Sequence, residues 1–164
     1  MPSTNWLIVS AAGSGKTTTI VKEAIAKPHR AIAILTYTRN NLEEIKKKFY
    51  ELHGSIPVNV TILSWFTFLL QDCVRPYQNY VYSDQRIESI AFVNYRSAKY
   101  IKKTNVSKYY LSGKNIYTDK LSEFAILCNR NSKGLVVDRI SDIFDEIYID
   151  EVQDLAGYDL DLIE

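Results

Sequence analysis

Two patterns of apolar residues alternate along this chain: short continuous runs of strand length, and stripes at helical spacing. Trp6 to Val9 is the first run and predicts a strand. After a glycine-containing turn, Lys16 to Ala26 places Ile20, Val21, Ala24 and Ile25 on one face and predicts a helix that Lys27-Pro28 ends. Ala31 to Leu35 is apolar throughout and closes in Thr36-Tyr37-Thr38, the pattern of a parallel strand covered on both faces. Asn40 or Asn41 can cap a helix through Leu52, with Leu42, Ile45, Phe49 and Leu52 as its apolar stripe and Gly54 closing it. Val58 to Leu63 predicts a third strand, and Ser64 caps a short helix over Trp65 to Cys73. Strand and helix alternate three times, which predicts a parallel α/β layer of the doubly wound or RecA-like kind.

From Arg75 to Lys120 the pattern dissolves into a polar stretch holding eight tyrosines, among them Tyr95, Tyr100 and Tyr109. Basic residues dominate it, with only Asp84, Glu88 and Asp119 as counterweight. It is too long for an ordinary crossover and predicts an inserted, mostly helical subdomain, with Ile87 to Lys103 as a helix. A helix from about Asp119 to Asn129, with Leu121, Phe124, Ala125 and Leu127 inward, leads back through the turn Asn131-Ser132-Lys133-Gly134. The final segment is acidic, and within it Ile147-Tyr148-Ile149 predicts a short buried strand that delivers Asp150-Glu151 at its C-terminal end. The expected layout is therefore one lobe from residues 1–74 and 119–164, with an insertion at 75–118.

The turn between the first strand and helix carries the chemistry. Ser10-Ala11-Ala12-Gly13-Ser14-Gly15-Lys16-Thr17 matches a phosphate-binding loop, except that Ser10 stands where the pattern has its first glycine. Backbone N–H groups of Ala12, Gly13, Ser14, Gly15, Lys16, Thr17 and Thr18 can wrap a polyphosphate at a helix N-terminus. Lys16 reaches the outer phosphates, and the Thr17 hydroxyl holds Mg²⁺. The plain alternative is a Gly-Ser turn that a lysine happens to follow.

Composition changes this picture little. The 164 residues suit about one domain, and a net charge of +1 gives no global attraction for nucleic acid, so a basic surface has to be local. Cys73 and Cys128 have neither metal-ligand spacing nor a disulfide framework and read as reduced, buried thiols. With no charged leader and no stretch long enough for a membrane, the expectation is a cytoplasmic protein without a membrane partner.

Asp150-Glu151 complements the loop. An aspartate at a strand end can hold Mg²⁺, while the adjacent glutamate orients and deprotonates a water, a pairing that favours hydrolysis over transfer to an acceptor. The plain alternative is an acidic helix cap.

Asp150-Glu151-Val152-Gln153-Asp154 is similar to the DExQD motif of UvrD/Rep-like superfamily 1 helicases, and Ala11 to Thr17 resembles their motif I. Thr36-Tyr37-Thr38-Arg39-Asn40 looks like motif Ia, and Val60 to Phe66 sits where the family has its TxHSF-like motif Ib. The resemblance covers about Leu7 to Cys73 and Ile147 to Leu160 and places the region between as the family's 1B-like insertion. It implies a RecA-like P-loop fold, ATP and Mg²⁺ as cofactors, and Lys16, Glu151 and Gln153 as catalytic residues. Glu151 is the general base and Gln153 the γ-phosphate sensor, while Thr17 and Asp150 hold the metal.

By the same resemblance, Thr38, Arg39, Ser64 and Trp65 lie along single-stranded DNA or a single/double-strand junction. Trp65 is either a stacking platform or plain core, and the tyrosine-rich insertion either contacts nucleic acid or packs on itself. There is no room upstream for a glutamine motif, Leu63 replaces the frequent histidine of motif Ib, and Asn41 stands where alanine is usual. Motif III and the second lobe with its arginine finger are missing, so the expected protein is the C-terminally incomplete first half of a 3′-to-5′ DNA motor, an ATP hydrolase only as part of its parent. The rival expectations are a small P-loop ATPase or kinase and a non-catalytic DNA-binding regulatory module.

Overall fold

A computed structural model describes residues 15–163. The expected strand at Trp6–Val9 and the loop residues Ala12, Gly13 and Ser14 lie outside them. Gly15 stands at φ +81°, a left-handed conformation that glycine adopts without a Cβ clash, and launches α1 (Lys16–Ile25). β1 (Ile32–Thr36) is buried at all five positions, because it is the central strand of a parallel sheet ordered β2-β1-β6. α2 (Arg39–His53) begins at Thr38, whose hydroxyl accepts from the Asn41 backbone N–H at 3.2 Å, and ends at Gly54. The cap is therefore Thr38 and not an asparagine: its extended backbone frees the hydroxyl for the first turn.

β2 (Val60–Ser64) runs into α3 (Trp65–Phe68), and Ser64 caps α3 as expected, accepting from Thr67 N–H at 3.1 Å. The helix continues as a π-helical turn over Leu69–Val74. β6 (Glu146–Ile149) pairs with β1 in parallel, Leu35 opposite Ile149. It is less covered than the sequence suggests. Ile147 is 38% exposed, since β6 is the edge strand among the described residues.

Helices cover both faces of the sheet. Ile32 and Ile34 pack with Val21 and Ala24 of α1 and with Ile45 and Phe49 of α2. Ala33 and Leu35 face α3, the π-helical turn and α5 (Thr118–Asn131), through Trp65, Leu69 and Phe124. The chain is thus a mixed α/β protein with a small parallel sheet.

The region 75–118 corrects the expectation of a mostly helical insertion. It folds around a second sheet ordered β3-β5-β4, formed by β3 (Ser89–Ala91), β4 (Leu111–Ser112) and β5 (Asn115–Tyr117), with a 3₁₀ turn over Gln78–Tyr80 and the short α4 (Val106–Tyr109) beside it. Residues 87–103 form no long helix. Ile90 is drawn into pairing opposite Ile116, and Ser97 is tied by its N–H and hydroxyl to the Asp119 carboxylate at 3.0 and 2.6 Å.

Ile87, Tyr109, Tyr110, Leu111 and Ile116 bury into the same cluster as α3 and α5, so the insertion shares a core with the lobe. Between α5 and β6 the chain adds α6 (Leu135–Ile143), a helix the acidic character of that segment conceals. α7 (Tyr158–Ile163) closes the described residues. No helix among them is long and apolar enough to cross a membrane.

Candidate functional site

The C-terminal end of β6 and the N-terminus of α1 meet. Thr17, in the first turn of α1, donates its hydroxyl to Asp150 Oδ2 at 3.2 Å, across 133 residues of sequence. Lys16 Nζ lies 3.8 Å from Glu151 Oε2, and the Gln153 side-chain amide donates to the same Glu151 carboxylate. Five of the expected site residues, Lys16, Thr17, Asp150, Glu151 and Gln153, therefore converge. Gly15 is at the same helix start, and Thr18 is half-buried in α1.

The two carboxylates are held differently. Asp150 is 4% exposed, and its backbone N–H extends the sheet by donating to Leu35 O at 2.9 Å. Burial pushes its carboxyl above the usual range, the Thr17 hydroxyl opposes that, and the charge of Glu151 adds to it. Glu151 is half-buried and sits at φ +60°, ψ +48°, a left-handed conformation rare for a side-chain-bearing residue. That backbone leaves the extended course of β6 and starts a 3₁₀ turn over Val152–Asp154.

The donor set fits Mg²⁺. A hydroxyl and a carboxylate are hard oxygen ligands, and Mg²⁺ takes one or two such groups, leaving its other positions to water and phosphate. Among the described residues no cluster of three or more His, Cys, Asp or Glu could hold a metal alone. Thr17 and Asp150 are the residues that would hold the ion, with a nucleotide completing its shell.

The residues expected along DNA lie at or just past the C-terminal ends of β1 and β2, neighbouring parallel strands on which Thr36 is opposite Ser64, and they differ in exposure. Thr38 and Arg39 are exposed at the start of α2. Ser64 is half-buried and engaged as the α3 cap. Of the two readings of Trp65 the structure takes the core one. It is 2% exposed, and its indole N–H donates to Asp159 Oδ1 at 2.8 Å, so it offers no stacking face. Asp159 also accepts from the Ser122 hydroxyl and from Ala156 N–H at 3.3 Å, which fastens α7 to α3 and α5.

Further aromatic side chains reach the same C-terminal edge of the sheet. Tyr37 follows β1, Phe66 follows the end of β2, and their rings meet edge-on at 4.9 Å. Phe66 in turn meets Phe92 at 5.9 Å, and Phe92 is 69% exposed. Tyr37 was legible only as a position inside the Thr-Tyr-Thr strand end. Phe92 gave no signal, because it joins the group only through the fold of the insertion.

No family model matches the chain, and no curated protein matches it.

Proposed function

We propose that this chain is the ATP-binding part of a DNA-dependent motor of the UvrD/Rep-like type, with a RecA-like lobe built on the β2-β1-β6 sheet. The observation that carries the reading is the Thr17–Asp150 hydrogen bond, which joins a phosphate-loop threonine to a strand-end aspartate. Neither motif requires the other by sequence proximity. On this reading the helix start at Gly15–Thr17 binds the polyphosphate, and Thr17 with Asp150 holds the Mg²⁺ that neutralises developing charge. Lys16 exchanges its contact with Glu151 for the outer phosphates. Glu151, released from Lys16, accepts a proton from the attacking water, and Gln153 fixes its carboxylate. The motor type follows the four-motif resemblance, in which transition-state stabilisation needs an arginine from a second RecA-like lobe.

A nucleic-acid partner has local support. Residues 92–103 hold Arg96, Lys99, Lys102 and Lys103 with no acidic residue, and Phe92, Tyr95 and Tyr100 are 69%, 73% and 89% exposed. Cations interleaved with exposed rings suit single strands, whose unpaired bases stack while their phosphates are neutralised. Other tyrosines of the insertion pack internally, as Tyr109 and Tyr110 do.

The deciding experiment measures ATP hydrolysis with and without single-stranded DNA, for this chain and for a longer form carrying a second RecA-like lobe. The expected outcome is DNA-stimulated turnover by the longer form, little turnover by this chain, and no nucleotide binding by Lys16→Ala. A longer form indifferent to DNA would remove the motor reading and leave a P-loop ATPase or a regulatory module.

A further inference from the structure

Thr36, the last residue of β1, is 1% exposed, and its hydroxyl has no hydrogen-bond partner among the described residues. A buried hydroxyl left unpaired is costly, and such groups mark strain, a bound water or a ligand. Its position favours the ligand. Side chains alternate along a strand, so Thr36 shares the face of Ile32 and Ile34, which pack against Val21 and Ala24 of α1. Tyr148 of β6 packs in that same cluster, which puts Asp150, two residues on, on the α1 face as well. The Thr17–Asp150 hydrogen bond agrees with this placement.

Leu35 is opposite Ile149, so the next pair in register is Thr36 and Asp150, on strands about 4.8 Å apart. On its other side Thr36 is paired with Ser64, whose hydroxyl is already committed to Thr67. The unpaired hydroxyl therefore sits beside the metal-binding aspartate, on the face toward the phosphate-binding helix. Valine would fill the same space without the polar atom.

We propose that Thr36 belongs to the nucleotide–metal site, where its hydroxyl binds a water of the Mg²⁺ shell beside Asp150. The inference rests on the nucleotide-binding reading above. Mg²⁺ held by two protein oxygens keeps several waters. Each such water is a strong donor needing an acceptor, and a threonine hydroxyl accepts while remaining free to rotate.

The test uses the 164-residue chain, a fluorescent ADP analogue with either Mg²⁺ or a chelator, and thermal melts without nucleotide. Thr36→Val is expected to bind the analogue as wild type does in chelator and to lose about tenfold of the Mg²⁺-dependent gain, the scale of one water-mediated hydrogen bond. Thr36→Ser keeps that gain. Without nucleotide, Thr36→Val melts higher than wild type, because it removes an unpaired polar atom.

Thr36→Val retaining the full Mg²⁺ gain overturns the proposal, as does a lower melting temperature or failure of Thr36→Ser to restore the gain. If wild type shows no Mg²⁺ gain while Lys16→Ala still weakens binding, this proposal fails and the nucleotide site stands. If Lys16→Ala changes nothing, the nucleotide-binding reading itself fails, and this proposal with it.

Discussion

Glu151, the general base of the proposed reading, has a backbone conformation that most residues avoid. At φ +60° its Cβ crowds the following carbonyl, at a cost of about 1 kcal/mol that glycine does not incur. The contacts from Lys16 and Gln153 and the following 3₁₀ turn, in which Asp154 N–H donates to Glu151 O at 2.9 Å, hold the residue there. Such strain is typical of sites that aim a side chain for chemistry. Two substitutions separate the backbone from the carboxylate. Glu151→Ala and Glu151→Gly lose the same side-chain contacts, but only glycine relieves the backbone, so its Tm is expected to be roughly 3 °C above that of alanine for a chain of this size. Calorimetry that finds glycine no more stable than alanine removes the strain assignment. Glu151→Gln keeps the backbone cost and the shape, and on the proposed motor reading is expected to bind nucleotide without turning it over in a longer form carrying a second RecA-like lobe.

At the scale of elements, the same sheet is pinned at its opposite end by Lys27, just past α1. Its ammonium donates to Glu146 Oε2 at 2.6 Å and to the Tyr148 hydroxyl at 2.8 Å. The hydrogen bond from Lys27 holds the Glu146 carboxyl below its ordinary 4.5, and the same bond, then that to Tyr148, raises the Lys27 ammonium above its ordinary 10.5. A depressed carboxyl stabilises the fold above its unfolded value and stops doing so as the pH falls through its folded value. A raised ammonium stabilises below its unfolded value and stops only in strong alkali. The staple thus acts from mildly acidic pH to above pH 10. Both side chains are about one-third exposed, so solvent screening limits the effect. Lys27→Met is expected to cost about 1 kcal/mol at neutral pH, less as Glu146 protonates, as read by urea melts across pH. A cost unchanged in strong acid would mean that lost packing, not charge, is being measured.

Elements set by their own residues were legible in the sequence: the stripe of α1, the apolar run of β1, Gly54 after α2, Ser64 before α3. Those set by a distant partner were not. Ile87, Ile90 and Ile101 have a spacing that also suits a helix, and pairing with β5 and the Asp119 anchor override it. The site divides the same way. Lys16, Thr17, Asp150 and Glu151 stand out by residue type and motif, and the fold brings them together. Thr36 looks like a strand terminus until β1 and β6 are in register.

For the whole molecule, the net charge of +1 conceals a segregation that bears on the nucleic-acid reading. Residues 92–103 are wholly basic among their charged positions, whereas the segment from Asp138 onward is predominantly acidic. A polyanion is therefore attracted to residues 92–103 and repelled by the C-terminal segment, and affinity there depends on which cations are free to neutralise phosphate. Lys103 is engaged with the Glu123 carboxylate, while Arg96, Lys99 and Lys102 form no ion pair among the described residues. Each phosphate neutralised on a single strand contributes about 0.7 to the slope of log affinity against log salt. Replacing Arg96, Lys99 and Lys102 together with glutamine is therefore expected to flatten that slope by about two for an oligothymidylate, read by fluorescence anisotropy from low to moderate salt. Tyr95→Ala should act otherwise, weakening binding by about 1–3 kcal/mol with the slope preserved, because stacking releases no counterions. The two variants thus distinguish a surface that holds single strands through bases and phosphates from one that merely attracts negative charge. If the triple variant leaves the slope unchanged, DNA binds elsewhere on the chain. If it flattens the slope while Tyr95→Ala changes nothing, the segment is an electrostatic patch without a stacking role.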